Sequence, residues 1–339
     1  MRRPRANASP PPPLPLRSFV GRRADEHRGA LLLSRPVEHG RVRDWAEMEL
    51  LWRSIYDADA LGAAPEAHAA LLTAPPASAR AARDAAAAVM FETLRVPALV
   101  MAPTSTLALY ATGRTTGLVL EAGDGVTAAT PVYEGFALPH AAVRADVGGG
   151  DVTDALAALL RRAGVALATS AERETVRAIK EACGAVAASA AAADAAPPGG
   201  GEEFRLPDGS RLALAGEATR ASEVLFRPAL AGLEAPGAAD VVALALAKAD
   251  LDLRRPLLGA VVLAGGATAA RGFAARLLGD VRAAAPPDAA VRVWAPADRK
   301  LLAWVGGSIL ASLATFRAMW VTRADFEEEG PRALNKFAL

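Results

Sequence analysis

The run from Arg299 to Trp320 constrains this chain more than any other stretch. Within it, Ile309, Leu310, Leu313, Phe316 and Trp320 recur at helical spacing. The spacing predicts a glycine turn at Gly306-Gly307 followed by a buried amphipathic helix. A helix of that kind needs a core to cover it. A chain of 339 residues with 52% hydrophobic content can supply one, in two domain-sized units. The formal net charge of +1 offers no field for nucleic acid or an anionic membrane. Cys183 is the only cysteine, which excludes an internal disulfide and a cysteine-based zinc cluster. Charges interrupt the apolar runs before they reach membrane-spanning length, so a soluble protein is expected.

Other stretches are set apart by composition. Ala185 to Ala196 reads as helix-forming or low-complexity, and Pro197 to Gly201 as a flexible surface loop. Met1 to Leu16 is rich in arginine, has no acidic residue and carries a proline cluster from Pro10 to Pro13. Such a segment is extended or disordered. It reads as a basic targeting peptide, a polyproline ligand, or a tail without a role, and the last is favoured. No internal repeat is visible.

Several motifs point to chemistry only in combination. Gly117 to Glu121 alternates into a strand and is followed by Gly123-Asp124-Gly125; alone, this is a hairpin turn. Gly265 and Gly266 follow the apolar run from Val261 and allow close backbone approach. Lys180-Glu181 on a helix is usually a solvated face, and His39 in Glu38-His39-Gly40 a structural hydrogen-bonder.

Taken in order, however, these segments resemble actins. The resemblance is carried by Arg299 to Trp320, Pro131 to Ala141, Met90 to Thr93 and Leu109 to Gly117. Ala171 to Glu181, Leu206 to Gly209, Glu223 to Pro228, Val261 to Gly266 and Pro36 to Gly40 add to it. It extends from about Arg17 to Leu339, with alanine at many positions in between. It implies a two-lobed α/β fold of duplicated ribonuclease H-like domains, with nucleotide between the lobes. The expected division is a disordered tail over 1–16, one lobe over 17–111 plus 302–339, and a second over 112–147 plus 234–301. Residues 148–233 would form a helical subdomain inserted in the second lobe.

The resemblance also shows departures. Actins open with a hairpin whose backbone N–H groups cradle the β- and γ-phosphates; nothing here matches it. The DNase-binding-type loop, which in the family inserts into the next filament subunit, is replaced by a short link between Arg22 and Arg28. The second phosphate turn is kept as Gly123, Asp124 and Gly125. Asp124 matches a carboxylate that holds magnesium-bound water, and Glu121 stands where the family has aspartate, one methylene longer. Thr104 and Ala128 fall where actins place the glutamine and histidine that orient the attacking water, so no catalytic residue is assigned. Gly149, Lys180, Glu181, Gly265, Gly266 and Lys300 match contacts to the adenosine side. Ala270 replaces a tyrosine that flanks the base.

A second implied surface is the groove where actins receive helices of binding proteins. Its matching residues are Tyr110, Ala111, Gly113, Thr115, Gly135, Leu310, Leu313, Thr315 and Met319. The resemblance thus implies ATP or ADP with magnesium, bound weakly or not at all, with hydrolysis and polymerisation impaired. Partners would be actin-binding proteins or actin-related subunits, in the cytoplasm at the cytoskeleton, with the nucleus as the alternative. The competing reading is a non-polymerising scaffold subunit that holds a partner helix in a larger assembly. A third is that sequence upstream of Met1 encodes the missing hairpin.

Overall fold

The computed structural model describes residues 19–75, 78–195 and 202–335. The tail over 1–16 and the loop from Pro197 to Gly201 lie outside them. In chain order the described strands begin with a hairpin of β1 (Val37–Glu38) and β2 (Arg41–Val42), then β3 (Ala70–Ala74) and β4 (Ala98–Pro103). Next come β5 (Gly117–Ala122), β6 (Thr127–Tyr133), β7 (Phe136–Ala137) and β8 (Val143–Ala145). After them follow a second hairpin of β9 (Glu202–Arg205) and β10 (Arg211–Leu214), then β11 (Val261–Ala264), β12 (Val293–Trp294) and β13 (Val321–Thr322).

Two sheets define the two lobes. The first is three-stranded in the order β13-β4-β3, with β3 parallel and β13 antiparallel to β4. Its central strand, Ala98–Pro103, is a nearly continuous apolar run, as expected of a strand covered on both faces. Met90, Phe91, Leu94 and Leu99 form its core with Phe326, whose ring stacks on Phe91 at 4.6 Å between centroids. The Trp45–Tyr56 helix, capped by Asp44 accepting from the Glu47 N–H at 2.9 Å, packs Trp52 and Tyr56 against this core.

The second sheet is six-stranded. It runs β12-β11-β5-β6-β7, with β8 also on β6. β11 lies parallel to β5 and β12, and β5, β6 and β7 form an antiparallel meander. The Gly149–Arg162, Ser170–Cys183, Ala238–Lys248 and Phe273–Ala284 helices bury Leu156, Ile179, Val241 and Phe273 with Leu118, Leu120 and Leu263 of this sheet. Among the described residues no helix is long and apolar enough to cross a membrane.

The opening run folds differently from its periodicity. Gly306 and Gly307 lie inside the Leu302–Ser312 helix rather than in a turn before it. The reason is packing: that helix crosses the Thr104–Tyr110 helix so closely that a Cβ on Gly306 would collide with the Leu107 carbonyl. The helix ends at Ser312, because Leu313 is extended (φ −72, ψ 135), and Ala314–Met319 continues as a 3₁₀ turn. Leu310 and Phe316 are buried, but Ile309 and Leu313 are exposed.

Candidate nucleotide cleft and partner groove

The Gly-Asp-Gly turn joins β5 to β6, with Ala122 opposite Thr127 and the Gly123 N–H donating to the Val126 carbonyl at 2.9 Å. Its own carbonyls face the start of the Gly149–Arg162 helix. The Gly149 N–H donates to Gly123 O at 2.9 Å, and the Gly150 N–H to Asp124 O at 2.6 Å. A Cβ on Gly148 would collide with the Asp124 carbonyl. N–H groups that a helix start normally leaves unpaired are therefore satisfied by the turn. The Asp124 carboxylate points outward and accepts from Arg35 Nη1 at 3.4 Å.

Beneath the turn, Glu121 lies across from Ala128 on β6 and Ala264 on β11. Neither neighbour offers it a hydrogen bond. Its partner is Thr104, at the start of the Thr104–Tyr110 helix, whose Oγ1 donates to Glu121 Oε2 at 2.7 Å. Burial pushes the Glu121 carboxyl up to about 7, and the Thr104 hydrogen bond partly offsets this. The two departures noted separately in the sequence thus touch: the longer acid reaches the shorter hydroxyl. A lengthened acid combined with a shortened partner was the available signal for this pair.

On the other side, the glycines and lysines named in the sequence come together. Lys180 Nζ donates to the Gly149 carbonyl at 2.7 Å and to Thr153 Oγ1 at 2.9 Å. Desolvation lowers its pKa, against the attraction of Asp124 and Glu181. A Cβ on Gly149 would stand 3.2 Å from Lys180 Nζ and 3.8 Å from the Ala267 Cβ. Gly265, at φ +86, donates its N–H to the Arg299 carbonyl at 2.9 Å and packs against the Ala122 carbonyl. Gly266 leaves its Cβ space open toward the Lys300 side chain, 3.8 Å away at Cγ. Glu181 instead lies at the solvated edge, 4.0 Å from Arg177.

On the side that the resemblance assigns to adenosine, Gly266 has room for a Cβ, whereas the Gly149 position is closed by Lys180 and the Gly265 position by the Ala122 carbonyl. On the phosphate side, Asp124 holds Arg35 and Glu121 holds Thr104. Among the described residues no three histidine, cysteine or acidic side chains cluster so as to bind a metal. Arg35 carries no motif and could not be picked out from sequence.

The groove residues divide in two. Tyr110 OH donates to the Gly135 carbonyl at 3.1 Å, and the Gly135 N–H to Thr115 O at 2.7 Å, which fixes one wall. Gly135 is required there: its φ is +90, and a Cβ would stand 2.7 Å from Tyr110 OH. Ala111, Gly113 and Thr115 are partly or fully exposed, as are Leu313, Thr315 and Met319 opposite. Leu310 is only 7% exposed and belongs to the core with Val100, Leu107 and Phe316, so it supports the groove rather than lining it. The Leu302–Ser312 helix turns this residue inward. His39, at φ 43, donates from Nδ1 to the Gly125 carbonyl at 2.9 Å and is structural.

The two sheets and the helices that cover them make this a two-lobed α/β protein. The sequence model of one such family, Actin, matches residues 3–337. A Neurospora crassa protein described as "Actin-like protein" is 46% identical over 326 residues, covering 94% of this chain and 86% of its own length. The chain belongs to the actin family.

Proposed function

We propose that this chain is an actin-like cytoskeletal protein that binds adenosine nucleotide weakly with magnesium and hydrolyses it negligibly. Gly149, Lys180, Gly265, Gly266 and Lys300 would hold the adenosine side, and Gly123 to Gly125 the phosphates. Asp124, and less directly Glu121, would meet the metal's water shell. Bound magnesium would supply charge neutralisation to the phosphates. The observation that carries the reading is the closed pair of Thr104 and Glu121 opposite Ala128, which leaves no amide or imidazole to align a water. The lobe boundaries proposed are those expected from the sequence.

The protein would form no ordinary actin filaments, because the segment between Arg22 and Arg28 is a short helix, Arg22–Glu26, in place of a long loop. It would still take partner helices in the groove beside Leu313. The second reading, a scaffold subunit without nucleotide, is favoured by the occupied carboxylates. Isothermal titration with magnesium-ATP separates the two: weak saturable binding supports the first, and none the second. Sedimentation and electron microscopy should show no helical polymer. An amphipathic actin-binding peptide should bind the wild type and fail with Leu313→Asp, which puts a charge on an exposed apolar wall without disturbing the core.

A further inference from the structure

Residues 33–41 run along the cleft as a strap. Four residues after this strap the chain enters the Trp45–Tyr56 helix, anchored on the three-stranded sheet's core. Two of its side chains pair within their own lobe, Ser34 with Glu47 at 2.7 Å and Glu38 with Arg43 at 2.8 Å, but its other contacts reach across to the second lobe. The Leu33 N–H donates to Ser170 Oγ at 3.3 Å. His39 bonds the Gly125 carbonyl, and the Arg144 guanidinium donates to the His39 carbonyl. Arg41 lies 3.6 Å from Asp146. Gly125 comes so close to the strap that a Cβ there would stand 2.8 Å from the His39 Cα.

Arg35 is the centre of this seam. Its guanidinium donates from Nη1 to Asp124 and from Nη2 to Glu174. Glu174 also pairs with Arg177 at 2.9 Å, and its side chain is only 11% exposed. An exposed ion pair alone contributes little. A poorly solvated carboxylate shared by two arginines differs, because losing one partner leaves its charge undercompensated. A guanidinium is also suited to bridging two carboxylates, since its donors form a fixed planar fork.

We propose that Arg35 is a built-in cation that latches the two lobes together at the metal side of the cleft, with neither metal nor nucleotide required. The same arginine would occupy Asp124, the carboxylate that nucleotide-bound magnesium would otherwise engage. That second clause rests on the reading of Asp124 under the proposed function; the latch itself rests on the contacts alone.

Distance measurement between spin labels tests it. The labels are placed at Arg22→Cys, whose side chain is 92% exposed, and Leu230→Cys, 58% exposed, on opposite lobes. In EDTA without nucleotide, the wild-type background should give one narrow distance distribution, unchanged by magnesium-ATP. Arg35→Gln should lengthen and broaden it, and Arg35→Lys should restore it only in part, since an ammonium keeps the charge without the fork. Circular dichroism verifies that each variant is folded. A narrow wild-type-like distribution in folded Arg35→Gln, or a wild-type distribution that is already broad and narrows with magnesium-ATP, overturns the latch. If titration detects no nucleotide but Arg35→Gln still opens the lobes, the binding reading fails and the latch stands.

Discussion

Gly265-Gly266 and Gly306-Gly307 look alike in sequence and serve different ends. Gly306 is pressed against the Leu107 carbonyl at a helix crossing, where any side chain would push two helices apart. A Cβ on Gly266 would meet the Lys300 side chain only at ordinary contact distance, 3.8 Å from Cγ. Gly265 is closed as well, by the Ala122 carbonyl, so within its pair only Gly266 has room for a side chain. The same contrast runs along the cleft. Gly266 has room for a Cβ, whereas the polar positions at Glu121 and Asp124 are filled from within, by Thr104 and Arg35.

The largest effect expected from this contrast is at Gly306. Gly306→Ala should destabilise the fold by about 3 kcal/mol or more, since backbone rather than a flexible side chain must give way. Denaturant unfolding measures it. A change within about 0.5 kcal/mol would mean the crossing is looser than described.

Glu121 comes next. Its carboxyl is raised from 4.5 to about 7 in the fold. Between those values the native state holds more protons than the unfolded chain, so stability falls as pH rises through the window. The cost is fully present above pH 7. Glu121→Gln, which can still accept from Thr104, should be more stable than wild type at pH 8 by ~1–3 kcal/mol. The gain should shrink toward zero near pH 4.5. A gain independent of pH would place the Glu121 carboxylate in water.

The smallest effect on stability is expected at Gly266. Gly266→Ala should leave the melting temperature almost unmoved, because its Cβ meets Lys300 only at ordinary contact distance. It should nevertheless weaken magnesium-ATP binding by filling ligand space. Equal affinity in the variant would remove Gly266 from the site.

Much of this architecture was legible because the signals were local. Gly123 to Gly125 marked the β5–β6 turn. The resemblance implied lobes that the two sheets then display. The Gly306-Gly307 pair misled because turn and helix crossing both call for glycine, and only the neighbouring helix decides between them. Leu310 and Leu313 share a helical spacing, yet the extended backbone at Leu313 sends them to different environments. The Arg35–Asp124 pair joins residues far apart in the chain, and side-chain pairing of that kind has no period to read.

The central proposal is a cleft that binds nucleotide weakly without cleaving it. Its most direct test is to incubate the folded protein with magnesium-ATP, quench samples over hours, and separate tri- from diphosphate by chromatography. The account predicts that the nucleotide remains ATP over hours. Formation of ADP at a rate comparable to ordinary actin, under the same conditions, would contradict it.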